Sequence, residues 1–301
     1  MLSREAELFL HEFRPRGIDL SAESIVEIRE LNRRNYEPGS RRALAEDGVA
    51  IEEIVLGGVP CLEARRMDGD AGFTLFFCHG GAMVSGSPHE DLPIIAALAR
   101  HARARVVSPR YRLAPECPYP SGLDDVTAAY RALGRLHAVT ELAVAGESAG
   151  GNLAAAMMHR LSPGERPTAL ALLSPWADFE LKGDSIAFNA GRDPTLTPAY
   201  LRSAVQLYFG ETRGPRRAAS PAAFDYADPF PPTLISTGTR DLLLSDSVRL
   251  AQALRHAGTQ VDLAVWDGLW HVFEFYREIP EATASLKQIA AFLKRHSVAR
   301  R

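Results

Sequence analysis

Leu142-Ala143-Val144-Ala145-Gly146-Glu147-Ser148-Ala149-Gly150-Gly151-Asn152-Leu153-Ala154-Ala155-Ala156-Met157-Met158 decides the fold. It reads as a buried strand, a sharp turn and a helix, with a serine at the apex. A glycine at each end of Gly-x-Ser-x-Gly lets the backbone turn tightly, so the hydroxyl stands exposed above a sheet. The residue after the serine opens the helix, where backbone N–H groups have no preceding carbonyl to pair with. One turn can therefore offer a nucleophile and a donor for a developing oxyanion. The plainer reading is a tight turn without chemistry, and the strand–turn–helix setting argues against it.

Outward from this stretch, apolar runs alternate with helical ones. Strands at 73–78, 104–108, 141–145 and 168–173 are separated by helices near 90–102, 121–135 and 150–161. Strand 233–237, helix 245–257, strand 260–266 and helix 279–296 follow. Short continuous apolar strands between helices imply a mostly parallel sheet covered on both faces. Ile94, Ile95 and Leu98 mark the apolar face of one helix, and Leu250, Ala251 and Leu254 that of another. Ahead of these units, runs at 51–56 and 59–64 flank Gly57-Gly58, a hairpin signal. The expected architecture is α/β, with about eight strands and an antiparallel hairpin first.

Two segments stand apart. Residues 1–48 read as amphipathic helices broken near Pro15-Arg16-Gly17 and Pro38-Gly39, with Leu8, Phe9, Leu10 and Phe13 in need of a partner. Residues from about 177 to 225 are rich in Pro, Gly and charge, with a helical piece over 200–208. An insertion there lies over the C-terminal sheet edge, where open α/β sheets bind ligands. Both segments read as a cap on a catalytic unit spanning 49–301. A surface excursion without a role is the alternative, but long ordered loops are more often functional.

The chain has 301 residues, 46 % apolar and 24 % charged, with a formal net charge of −3. The arginines are scattered among acids, and the balance argues against a nucleic-acid partner, which favours a basic face. No apolar run approaches the ~20 residues of a membrane span, and the first residues lack the apolar core of a signal peptide. A cytoplasmic protein is expected. Cys61, Cys78 and Cys117 are an odd set without a secretory signal, which points to free thiols, Cys78 within a buried strand. No Cys/His spacing suits a metal, and His79 and His89 lack a third ligand. Neither a metal nor another cofactor is expected.

A serine hydroxyl needs a base, and the base needs a carboxylate to orient it. On such a sheet the order is serine, acid, histidine. Of the histidines late enough, His256 sits within a helix and His296 in a basic tail. His271, in Trp266-Asp267-Gly268-Leu269-Trp270-His271, lies in a loop just past a strand. Asp241 likewise follows strand 233–237. Its rival Asp246 sits at a helix start, where an acid is stabilising for structural reasons. Oxyanion donors are expected from Ala149 and from His79-Gly80-Gly81-Ala82, directly after strand 73–78, where glycines allow close backbone approach. One such donor is worth about 3 to 4 kcal/mol in the transition state.

His79-Gly80-Gly81, Tyr111-Arg112-Leu113-Ala114-Pro115-Glu116, Gly146-Glu147-Ser148-Ala149-Gly150, Gly238-Thr239-Arg240-Asp241 and His271-Val272-Phe273 together resemble the bacterial hormone-sensitive-lipase esterases. The resemblance covers roughly 50 to 296. Leu173-Ser174-Pro175-Trp176-Ala177-Asp178 and Leu196-Thr197-Pro198 are similar to the epsilon-lactone hydrolase and acetyl esterase branch. The resemblance implies an α/β-hydrolase fold with a helical cap, ester hydrolysis through an acyl-serine, a small-molecule ester as partner, and often a homodimer. It also implies that Gly81, Ala82 and Ala149 supply the oxyanion donors.

Two departures stand out. Ala82 replaces the usual third glycine, and the hole survives if the backbone there does not demand φ > 0. Glu147 replaces the more usual Asp and reads as a loop brace. Arg112 and Glu116 are expected to tie loops together, and Trp176, Trp270 and Phe273 either to pack or to line a pocket. The expected substrates are short-chain esters or lactones, because a capped pocket restricts long acyl chains. An amidase or peptidase on the same fold lacks support from any large extra domain. A non-catalytic receptor is disfavoured because nucleophile, acid and base are all kept.

Overall fold

Alternate residues of the inner strands face opposite sides of one sheet, and this period of two builds both cores. Phe76, Val107, Val144, Leu172 and Ile235 belong to one apolar cluster. Leu75, Val106, Ala143, Ala171 and Leu234 belong to another on the opposite face. The computed structural model describes residues 2–13, 20–69, 72–138, 141–210 and 216–298. Its strands are β1 (Val49–Leu56), β2 (Val59–Arg66), β3 (Phe73–Cys78), β4 (Ala104–Pro109), β5 (Leu142–Glu147), β6 (Leu170–Leu173), β7 (Thr233–Gly238) and β8 (Val261–Trp266). They run in the order β1-β2-β4-β3-β5-β6-β7-β8. β1 and β2 pair antiparallel, β2 is antiparallel to β4, and every other pairing is parallel.

The helices are α1 (Arg4–Glu12), α2 (Ile25–Asp47), α3 (Leu92–Ala102), α4 (Ser121–Leu136), α5 (Ser148–Arg160), α6 (Ser185–Phe188), α7 (Pro198–Phe209), α8 (Leu244–His256) and α9 (Pro280–Val298). Residues of α4, α5 and α8 fill the first cluster. Residues of α3 and α9 fill the second. Because the strands from β3 onward are parallel, their carboxyl ends meet along one edge. The loops after β3, β5, β6, β7 and β8 converge there.

The break expected at Pro38-Gly39 is absent, since α2 runs through both residues. Pro38 cannot donate to the carbonyl of Arg34, but both residues lie on the exposed side of the helix. Water can satisfy that carbonyl, while Ala43 and Ser40 anchor the buried side. The break expected at Pro15-Arg16-Gly17 falls outside the described residues. α6 was not expected: its four residues are too few to show a helical period.

The cluster around Phe9 finds its partner in the loop after β8. Phe9 stacks on Trp270 with ring centroids 4.5 Å apart and meets Tyr276 at 4.4 Å. The Ser3 backbone N–H and hydroxyl donate to the Glu281 carboxylate at 2.7 and 2.8 Å. α2 is held by Arg29, which donates to the carbonyls of Val84 and Ala114 and pairs with Glu116. Arg112 pairs with Asp125 at 2.7 Å. Arg112 and Glu116 thus each tie their loop to a helix, α4 and α2, rather than loop to loop as expected, and they do so from exposed positions.

Among the described residues no helix is long and apolar enough to cross a membrane. Truncating Phe9 removes a stack and half-buried apolar area, worth about 2 kcal/mol. Phe9→Ala is therefore expected to lower the thermal midpoint by roughly 3 °C. An unchanged melting curve by circular dichroism contradicts the docking of α1 on the 269–276 loop.

Candidate active site

The turn after β5 is strained and held. Ser148 sits at φ 52°, in the left-handed region that only glycine enters freely. The surroundings impose it. A Cβ on Gly146 would collide with the backbone of Gly150, and one on Gly150 would overlap the carbonyl oxygens of Cys78 and His79. The glycines therefore allow the turn and also its seating on the end of β3. The Trp176 N–H donates to the Ser148 carbonyl at 3.0 Å, tying the apex to the strand beyond.

His271 comes to this apex from the loop after β8, and Asp241 from the loop after β7. His271 Nε2 lies 2.9 Å from Ser148 Oγ, and His271 Nδ1 lies 3.1 Å from Asp241 Oδ1. Their exposures are 8 % for Ser148, 7 % for His271 and 0 % for Asp241, so the line runs inward from a nearly closed surface. Asp241 also accepts hydrogen bonds from the Thr237 hydroxyl and the Leu243 N–H. Burial is the largest influence on each partner of the pair and disfavours charge. It is outweighed: the His271 pKa lies above the ordinary histidine value through Asp241, Asp193 and Glu274, and the Asp241 pKa lies below the ordinary value through His271. The arrangement can take a proton from the serine and hold it on the imidazole.

Several supporting residues escaped the sequence reading. Ser174, at φ 46°, accepts the Val272 N–H on its hydroxyl and so suspends the His271 loop from β6. Asp193 is fully buried; it accepts from the Thr195 and Leu196 N–H groups and from the Leu242 N–H. Asn189 donates to the carbonyls of Thr239 and Asp241. Residues between β6 and β7 thus grip the loop that carries Asp241. The signal available was Asp193 itself, an acid in a proline-rich segment, but nothing in one sequence told it from a surface charge. Asp246, the rival acid, accepts the N–H groups of Ala177 and Asp178 and anchors the start of the same segment. Burial, then Asp178, pushes its pKa well above the usual carboxylate range.

The loop after β3 departs from expectation at Ala82. Gly81, Ala82 and Met83 have φ of 104°, 56° and 67°, so the left-handed conformation is demanded there and alanine adopts it. The cost is about 1–2 kcal/mol at a non-glycine residue. A Cβ on Gly81 would overlap the Ser85 carbonyl. The Gly80 N–H, expected among the oxyanion donors, instead donates to the Asp91 carboxylate at 3.4 Å. His79 stacks on Tyr111 at 4.1 Å and donates from Nδ1 to the Gly80 carbonyl. Burial holds its pKa down to about 4, so it stays neutral. Ala149 is in the first turn of α5. Trp176, Trp270 and Phe273 are all fully buried: Trp176 packs on Phe179 and Trp270 on Phe9.

Among the described residues no group of three or more His, Cys, Asp or Glu side chains is arranged to hold a metal ion, and the three cysteines are free thiols. A cleft of about 680 Å³ between α2 and the 86–92 turn, with Arg29, His89 and Arg110 in its walls, does not reach Ser148.

Residues 75–275 match the family described as alpha/beta hydrolase fold. An acetyl-hydrolase of Streptomyces hygroscopicus is 34 % identical over 292 residues, covering 90 % of this chain and 95 % of that protein. An esterase of Acinetobacter venetianus is 32 % identical over 249 residues, covering 81 % and 82 %. The crystal structure of an esterase from the bacterial hormone-sensitive lipase family superposes with a TM-score of 0.86 at 30 % identity, covering 99 % of each chain. A hormone-sensitive lipase from a metagenome library gives 0.85 at 32 %, covering 97 % of this chain and 96 % of that one. With the eight-stranded sheet and the serine turn already described, this chain belongs to the alpha/beta hydrolase family, among the bacterial hormone-sensitive-lipase esterases, and is a carboxylesterase.

Proposed function

We propose that Ser148, His271 and Asp241 form the catalytic triad of this esterase, and that Gly81, Ala82 and Ala149 donate to the oxyanion. The observation that carries this reading is the 2.9 Å approach of His271 Nε2 to Ser148 Oγ on a strained turn. Ser148 Oγ attacks the ester carbonyl while His271 takes its proton. The carbonyl electrons move to the oxygen, which the backbone N–H groups stabilise. The tetrahedral intermediate collapses, His271 protonates the departing alcohol, and an acyl-serine remains. Water, deprotonated by the same imidazole, attacks that ester and releases the acid. Asp241 fixes the tautomer and stabilises the imidazolium throughout.

The segments 1–48 and about 177–225 act in this proposal as a cap on the unit 49–301. Support comes from α1, packed on the loop that carries His271, and from Asp193 and Asn189, bonded to the loop that carries Asp241. The favoured substrates are short-chain esters or lactones. An esterase structure soaked with p-nitrophenyl butyrate is 26 % identical to this chain with a TM-score of 0.85, covering 98 % of this chain and 99 % of that one.

Ser148→Ala is expected to lower kcat by a factor on the order of 10⁶, with the far-UV spectrum unchanged and labelling by a fluorophosphonate lost. Hydrolysis near the wild-type rate would refute the assignment. The pH dependence follows from His271, which must be neutral to accept the serine proton. Its pKa is raised, so kcat/KM should fall as pH drops through a midpoint above 6.5, the ordinary value. Asp241→Asn removes the largest upward pull and leaves burial in place. The midpoint should then move down while kcat falls about 10⁴-fold; a midpoint that stays in place sinks the pairing. Across p-nitrophenyl esters, kcat/KM should decline at least about tenfold from butyrate to decanoate, since each discriminating contact is worth about 1–3 kcal/mol. Faster turnover of decanoate overturns the short-chain reading.

A further inference from the structure

The loop after β3 has to hold three consecutive residues at positive φ, and it lies against two acids that the mechanism does not use. Glu147 closes β5 and Asp91 precedes α3. Both are buried, at 6 % and 7 % exposure. The Glu147 carboxyl lies directly on the Cα of Gly80, in the space that any side chain there would fill. The Gly80 N–H donates to the Asp91 carboxylate at 3.4 Å, so both carboxyls meet at Gly80.

Two ionised carboxylates have no donor between them, so two buried ones brought to the same glycine are best reconciled by a proton. The surroundings offer no other remedy. Glu90 beside Asp91 and Glu274 beyond Glu147 are acidic, and Tyr111 and His79 are neutral. Neither acid forms an ion pair with a described arginine or lysine. Buried like charges without a counter-ion are among the most costly arrangements in a protein interior.

We propose that Glu147 and Asp91 share a proton, Glu147 donating to Asp91, and that this neutralised pair positions the oxyanion loop by gripping Gly80. It rests on the oxyanion role given above to Gly81 and Ala82. Glu147 is a positioning residue: it touches Gly80, and Gly80 sets the path of the next two N–H groups. The burial of both acids is consistent, since it pushes Asp91 up to about 7 and Glu147 well above the usual carboxylate range. The Tyr111 hydroxyl donates to the carbonyls of His79 and Gly80 at 2.9 and 3.3 Å, fixing the other side of the same peptide.

Infrared difference spectroscopy between the wild type and Glu147→Gln at pH 8 tests the proton directly. The wild type should show the C=O stretch of a protonated carboxyl that shifts in deuterium oxide and is lost in the variant; no such band overturns the proposal. Kinetics test the positioning. Glu147→Ala should lower kcat roughly tenfold to a hundredfold, part of the ~10²–10³ that one oxyanion donor is worth, with KM changed less than threefold. Glu147→Gln should recover most of that loss, because its amide can donate to Asp91 and accept from Gly80. An unchanged kcat in Glu147→Ala, or a loss confined to KM, overturns the proposal. If Glu147→Ala does not fold, the infrared band and the kcat of Glu147→Gln decide. Should Ser148→Ala stay inactive while Glu147→Ala keeps full kcat, this inference fails and the triad stands.

Discussion

The contact on which the site depends is the seating of Gly150 against the carbonyls of Cys78 and His79. No side chain fits between them. That contact fixes the distance from the serine turn to the loop after β3, and so sets where Ser148 stands relative to Gly81 and Ala82. Parallel pairing of β3 with β5, from Thr74 opposite Leu142 to Cys78 opposite Gly146, brings the two strand ends level. The strained φ of Ser148 follows from this seating. Strain of this kind persists only where the neighbours over-determine the backbone, and here they do so from both glycines.

Asp241 and His271 are held by different means. The His271 loop hangs through the Val272 N–H from Ser174, just past β6, and lies beside the Trp270–Phe9 stack. Asp241 sits in a loop clasped by Asp193 and Asn189, which belong to the segment between β6 and β7. Asp246 pins that segment where it leaves the sheet. The segment between β6 and β7 and the loop that carries Asp241 therefore share hydrogen bonds. A change in one alters the other.

The alternation of apolar runs made the sheet legible, because parallel strands buried on both faces carry little but Val, Leu, Ile, Ala and Phe. That Ser148, His271 and Asp241 lie in loops at strand ends was legible because each follows a strand-like run. Ser174, Asn189 and Asp193 were not. Their value lies in hydrogen bonds to backbone groups distant in sequence, and a single chain gives those no periodic trace. Pro38 misled for the opposite reason. Its local preference is to end a helix, and the exposed side of α2 tolerates it. Ala82 shows tertiary context overriding a residue's own backbone preference, at a position where the alanine was visible but its φ was not.

The bonds from Ser3 to Glu281, and the stack of Phe9 on Trp270, join α1 to segments more than 250 residues later. During synthesis the first helix emerges long before the loop that it covers. Its aromatic face stays without a partner on the ribosome until residues 266–281 have appeared. Contacts of such long separation form late and slowly, and they leave apolar surface open to wrong partners meanwhile. The cover over the His271 loop can therefore be laid only after residues 266–281 have been made, and a nascent chain short of residue 270 has neither His271 nor its cover.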